Sequence, residues 1–369
     1  MGQALPWPMY DAEGRLLLKK GTVLSKQSQL DALIKRGLYR NKADVQAEAP
    51  KIAVIVAEEK MTDSSSPFER LDGLKHEFHT ILQNILVKSG NTEKSVFSLC
   101  KQLQTLCDEH EDAMIGATHL MHDRAYTCYH PVHMALLSYI VGKRCGITQE
   151  VSTAMMAAGL TGNISMLELQ EQLHSQQEPL SEEQKEAIKS HPAKSVRLLI
   201  SAGVYNPKWL ETIMQHHERV DGSGYPDNLK DAEICKEAQL ISIADRYTAL
   251  VSSREYREAH TSNETLKNFF ENKCSSCDEV LTFLFIKVMG VWPPGSAVKL
   301  VNGEIAIVTK RGKKSMWPTV ASIIGPQGKA YANGLMRDCN DENYRIKSVH
   351  KLEKSVPLNL TRIWGFGVK

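Results

Sequence analysis

His216-His217-Glu218-Arg219-Val220-Asp221-Gly222-Ser223-Gly224-Tyr225-Pro226 is the stretch around which the rest of the chain can be read. Upstream of it Trp209, Ile213, His216 and Val220 recur at helical spacing, with Leu210, Met214 and His217 in the adjacent stripe. The pattern predicts a helix whose two imidazoles border an apolar face. Asp221-Gly222-Ser223-Gly224 tolerates a left-handed backbone and is expected to end that helix, and Tyr225-Pro226 then sets an extended exit. A lone histidine at such a border is usually an ordinary core residue. That reading does not explain the whole string.

Other residues share the character of this pair. His130 lies on the face of Met134, Leu137 and Val141, in a helix that also carries Tyr126 and His133. His191, followed by Pro192, sits one turn beyond Ala187 and Ile188 in a helix opened by the capping box Ser181-Glu182-Glu183-Gln184. Asp245 interrupts the apolar stripe Leu240, Ile241, Ala244, Thr248, Ala249, and a carboxylate in such a place is costly unless it is paired or coordinated. Arg254 and Arg257 stand one helical turn apart, so their guanidinium groups can converge on phosphate oxygens or remain solvated. His76 and His79 are expected to be solvent-facing.

The long string resembles the HHE…DGxGYP signature of the HD-GYP family, a branch of the HD phosphohydrolases. The resemblance implies an all-helical HD-type core and metal ligation by His130, His191, His216, His217 and Asp245. It also implies cyclic di-GMP as ligand class, with Arg254 and Arg257 on its phosphates, and a partner-contact loop at Asp221, Gly222, Gly224, Tyr225 and Pro226. One departure stands out. Where the family has Leu-His-Asp-x-Gly-Lys, this chain reads Leu160-Thr161-Gly162-Asn163-Ile164-Ser165. By register Thr161 replaces the His, Gly162 the Asp that bridges two metals, and Ser165 the Lys. No His occurs between His133 and His174, and no Asp between Asp123 and Asp221, so a shifted alignment restores neither. Tyr126 takes the place of a further carboxylate ligand one turn before His130.

Two readings follow. In the first, Thr161, Gly162 and Ser165 are degenerate positions and no catalytic residue is expected. At most one transition metal ion (Fe, Mn or Zn) is held, mainly by His191, His216 and His217, and the protein signals by binding cyclic di-GMP or a diguanylate cyclase-type partner. In the second, Asn163 or Glu168 substitutes for the lost pair and the chain is a working metal-dependent cyclic di-GMP phosphodiesterase. The missing bridge favours the first, because two-metal catalysis depends on it.

A chain of 369 residues implies more than one unit. The expected fold class is mainly α: a small α+β N-terminal segment and linker over 1–60, an HD-type helical bundle over 61–289, and a β-rich lobe over 290–369. In the first segment Leu30, Leu33 and Ile34 suggest a helix and Ile52 to Val56 a strand. In the last, Val298 to Val301, the hairpin signal Asn302-Gly303 and Glu304 to Val308 predict paired strands, with the lobe packing on the N-terminal strands. Lys+Arg at 45 against Asp+Glu at 43 points to neither nucleic acid nor an anionic membrane surface. The absence of a long apolar run and of a basic, then apolar, leader suggests a cytoplasmic protein. Eight scattered cysteines fit a reducing compartment, and Cys274-Ser275-Ser276-Cys277 reads as a loop rather than a metal site.

Overall fold

In this computed structural model the described residues are 9–10, 16–19, 21–22, 66–122, 125–252, 261–271, 277–312, 316–352 and 358–366. They belong to two compact units, Met1–Ser64 and Ser65–Lys369. In the first, β1 (Met9–Tyr10) pairs antiparallel with β2 (Leu16–Leu18). The expected helix around Leu30 and strand at Ile52 to Val56 lie outside the described residues, as do Arg254, Arg257 and Cys274.

The second unit is mainly helical. Ser66 caps α1 (Pro67–Leu86) with a capping box, and the stripe Leu71, Leu74, Phe78, Leu82, Ile85 is buried against α2 (Thr92–Glu109). His76 and His79, on the other face, are exposed. After α3 (Glu111–Leu120) comes α4 (Tyr126–Arg144), which is buried without interruption from Cys128 to Gly142. A helix enclosed on every side is the centre of a bundle. Packed around it are α5 (Gln149–Thr161), α6 (Leu167–Ser175), α7 (Glu182–Ser201), α8 (Pro207–Gln215), α9 (Lys236–Val251), α10 (Ser262–Glu271) and α11 (Glu279–Met289).

The helix bearing the His pair is shorter than its periodicity predicts. α8 stops at Gln215, with His216 as its C-cap, and the chain then runs as a loop to a short bridge between Asp221 and Lys230. Hydrogen bonding inside the loop wins over helical propagation. The buried Glu218 carboxylate accepts the Asp227 and Leu229 N–H groups at 2.6 and 3.1 Å, which a continued helix would place out of reach.

Five antiparallel strands follow: β3 (Ala297–Leu300), β4 (Ile305–Lys310), β5 (Thr319–Ile324), β6 (Ala330–Asp338) and β7 (Ile346–Val349), in the order β6-β5-β4-β3-β7. The Asn302-Gly303 turn joins β3 to β4 as its sequence predicts, with Gly303 at φ 92°. The apolar face of this sheet meets the helical bundle. Arg311 bridges Asp112 and Glu111 of α3, and the carbonyl of Pro294 accepts from His119 Nδ1 at 2.6 Å. Trp364, after α12 (Leu360–Ile363), packs edge-on to Phe68 at 5.0 Å and lies against Gly116, where a Cβ would meet its ring at 2.5 Å. The physical reason is that α3 offers a small-residue apolar face that the sheet can cover.

Candidate metal centre

Three of the histidines singled out in the sequence converge. One ring nitrogen from each of His191, His216 and His217 lies within 4.8 Å of the others. Their placement follows from local backbone chemistry. Pro192, inside α7, has no N–H, so the carbonyl of Ile188 loses its helical partner. His191 Nδ1 takes that carbonyl at 2.5 Å. At the end of α8 the carbonyl of Ile213 is free for the same reason that any terminal carbonyl is, and His216 Nδ1 donates to it at 2.6 Å.

Both imidazoles are thereby fixed as Nδ1–H tautomers, which leaves each Nε2 with a lone pair. These two acceptors face each other at 3.3 Å. Two lone pairs so close repel unless a cation or a proton lies between them, and a backbone carbonyl behind each ring is the usual support of a metal-bound imidazole. Burial, reinforced by His216, holds the His191 imidazole down to about 3. Burial also lowers His216, and burial with both neighbouring imidazoles lowers His217 further. The trio is therefore uncharged near neutral pH and presents ligand lone pairs without first losing protons. The donor set fits a transition metal ion.

His130 and Asp245 do not join this cluster directly; they pair with each other. His130 Nε2 donates to Asp245 Oδ1 at 2.8 Å, deep under the stacked ring of Tyr126 at 4.5 Å. Burial alone would raise the Asp245 carboxyl, but His130 and the nearby His217 and His216 hold it below the usual carboxylate range. The pair adjoins the trio across one cleft of about 450 Å³, lined by Tyr126, Asn163, His174, His217, Tyr225 and Asp245 among others.

The lost His-Asp pair divides into two different situations. Gly162 caps α5 beside the trio, and a Cβ on it would lie 3.6 Å from His216 Nε2. Thr161 points the other way. Its hydroxyl donates to Ala157 O at 2.7 Å and accepts from Trp209 Nε1 at 2.9 Å, inside the core. Ser165 is a support: its hydroxyl donates to the carbonyl of His191 at 3.0 Å, and its N–H donates to Ser195. Glu168 is exposed and does not line the cleft. Asn163 does line it, is 5% exposed, and has a buried Oδ1 without a hydrogen-bond partner.

Known proteins point the same way. An HD domain matches over residues 101–280. A cyclic di-GMP phosphodiesterase of Pseudomonas aeruginosa is 23% identical over 221 residues, covering 60% of this chain and 53% of the relative. The cyclic di-GMP phosphodiesterase PdeB of Borreliella burgdorferi is 25% identical, covering 49% and 48%. The chain thus spans about half the length of these curated relatives.

The chain carries an HD domain and is similar to HD-GYP proteins. The 3'3'-cGAMP-specific phosphodiesterase 1 of Vibrio cholerae, 30% identical over 42% of the chain and 36% of the relative, adds a second cyclic dinucleotide to the set of names. In fold, an HDG"Y"P protein of Bdellovibrio bacteriovorus aligns over 78% of this chain and 96% of its own, with 14% identity and a TM-score of 0.55.

The loop at Gly224-Tyr225-Pro226 is built differently from its sequence-based reading. Tyr225 is half-buried and stacks on His217, ring centroids 4.9 Å apart, so its ring lies against the imidazole cluster. The Tyr225-Pro226 peptide is cis. Gly224 is needed for space rather than for a left-handed backbone: a Cβ there would fall 2.5 Å from Glu218 Cα and Arg219 N. Gly222, at φ 76°, is the residue that needs conformational freedom. Asp221 Oδ1 accepts from the Ser223 N–H and hydroxyl at 2.9 and 2.6 Å, closing the turn on itself. Sequence reasoning missed Glu218, the carboxylate on which the loop is folded, and the stack of His174 on Tyr126 at 4.8 Å. Glu218 was inside the quoted string; nothing local to His174 signals its role.

Proposed function

We propose that this protein binds a cyclic dinucleotide of the cyclic di-GMP class in the cleft beside a single-ion centre, and that it signals by that bound state without turning the ligand over. The observation that carries this reading is Gly162 beside His216. Two divalent cations at the 3.5–4 Å spacing of a two-metal phosphodiesterase repel by roughly 18 kcal/mol at an effective dielectric constant of about 20, and a bridging carboxylate normally offsets much of it. Here the bridge position has no side chain, while three neutral imidazoles still converge. One ion is supported and a pair is not.

The cleft suits a planar, anionic ligand. The His174–Tyr126 stack and the Tyr225 ring give it two aromatic walls on which a nucleobase can lie, and an ion bound by uncharged ligands keeps its full charge for a phosphate. When bound, that ion would supply electrostatic attraction and Lewis acidity. The polypeptide supplies orientation. His216 and His191 are locked by backbone carbonyls, and Asp245 holds His130. With Tyr225 turned inward, any protein contact made by the loop would use its exposed polar residues, Arg219, Asp221 and Ser223.

The test is equilibrium binding of cyclic di-GMP to the metal-loaded full chain, run beside chromatography for linear product. Saturable binding without product is expected, and His216→Ala should lose the ion. Product formed by the wild type and abolished in His216→Ala would replace this reading with a phosphodiesterase.

A further inference from the structure

We infer that Asn163 is an oxygen ligand of the ion held by His191, His216 and His217, so that the centre has three imidazoles and one side-chain amide. The inference rests on the single-ion reading and adds a ligand that the family signature does not contain, since position 163 is the variable residue after the lost His-Asp pair. Its first support is an unexplained atom. Asn163 is 95% removed from solvent by its 5% exposure, yet Oδ1 accepts no hydrogen bond. Buried amide oxygens are nearly always satisfied, and one that is not calls for an ion or a ligand.

The second support is position. Asn163 follows Gly162, whose Cβ site is 3.6 Å from His216 Nε2, and it lines the cleft together with His217, Asp245 and Tyr225. The Asn163 carbonyl accepts from Met166 N at 3.0 Å, which turns the chain into the one-turn helix Ile164–Met166 and fixes the backbone of the residue where it lines the cleft. The third support is comparison within the cleft. Asp245 Oδ1 is engaged by His130 and Glu178 is exposed, while Gln170 Oε1, a second buried oxygen of the cleft without a partner, lies farther along the chain on α6. The uncommitted buried oxygen nearest in sequence to the missing bridge is Asn163 Oδ1.

An amide oxygen is a hard, neutral donor. It can complete the coordination of one cation but carries no charge with which to hold a second one close. The substitution of Gly162-Asn163 for a bridging Asp therefore converts a two-ion design into a one-ion design and leaves the ion with its full positive charge. This coordination would make the centre an anion receptor more than a source of hydroxide.

The experiment uses the full chain stripped of metal and titrated with Co(II) against a chromophoric chelator, with visible spectra recorded and no nucleotide present. Asn163→Ala should weaken Co(II) binding at least about tenfold, the lower end of what removing an outer-shell support costs, and should alter the d–d spectrum as water replaces the amide. Asn163→Asp has the same shape, so it tests the idea even if the alanine variant folds poorly; it should bind Co(II) more tightly than wild type. Affinities within twofold of wild type and unchanged spectra in both folded variants would overturn the inference. So would intact Co(II) binding with weakened cyclic di-GMP binding, which would place Asn163 on the nucleotide. If the wild type itself binds no Co(II), the single-ion reading fails first and this inference with it.

Discussion

Gly162→Asp is the most informative perturbation of the site, because it puts back the one atom group whose absence shapes everything around it. The backbone permits it: Gly162 is at φ −56° and ψ −34°, where any residue sits without strain. A new Cβ would lie 3.1 Å from Ala158 O, so the helix end must give by a few tenths of an ångström, and 3.6 Å from His216 Nε2. The carboxylate then falls within about 4 Å of an ion on the trio, where its attraction to a divalent cation is roughly 8 kcal/mol at an effective dielectric constant of about 20. Several kcal/mol of that is spent on burying the carboxylate. A net gain of about 2–4 kcal/mol remains, or roughly thirty- to several-hundredfold in metal affinity. Without metal the same carboxylate is buried among uncharged imidazoles and should lower stability by about 1–3 kcal/mol. The signature is thus a lower melting temperature for the apo variant together with tighter metal binding, read by thermal melts and chelator competition on one preparation. A folded variant whose metal affinity equals or falls below that of the wild type would refute the placement of Gly162 beside the ion. Restoring Thr161→His as well is not expected to help, because Thr161 is enclosed between Ala157 and Trp209.

Two further outcomes follow from the geometry. Tyr225→Ala removes the ring stacked on His217, a contact of a kind worth about 0.5–1.5 kcal/mol, so metal affinity should fall roughly two- to tenfold while Tyr225→Phe stays near wild type; unchanged affinity in Tyr225→Ala would return the residue to a contact role. In the β-rich lobe, Arg337 holds the Glu304 carboxyl down to about 2 from 4.5, with Ser322 assisting. A depressed carboxyl stabilises the fold above its unfolded value and loses that contribution as pH falls toward its folded one, so wild-type stability should decline between about pH 4.5 and 2. Arg337→Met should cost about 1–3 kcal/mol at neutral pH and move the decline upward, measured by denaturant melts across pH; an unchanged acid profile would show that the pair contributes nothing.

The sequence by itself determined the helical class and marked the three histidines that come together, because both are written in local chemistry. Helical periodicity marks α1 and α2, the capping box starts α7, Asn302-Gly303 turns β3 into β4, and His191-Pro192 couples a free carbonyl to an imidazole three residues along the chain. The dipeptide was legible as a motif, though its reason is visible only once Ile188 is seen to lose its helical partner to Pro192.

What only the tertiary structure decided concerns contacts between residues far apart in the chain, where no spacing rule applies. Whether Tyr225 faced solvent or His217 depended on Glu218 gathering the N–H groups of Asp227 and Leu229, a competition between loop and helix that periodicity cannot weigh. Whether Thr161 and Gly162 shared a pocket depended on Trp209, which takes the threonine into the core and leaves the glycine beside the His216 imidazole. The covering of the C-terminal sheet by α3 was decided by Gly116, small enough for Trp364 to lie against it. Sequence fixes which groups are available; burial and the satisfaction of each polar atom select which of them meet.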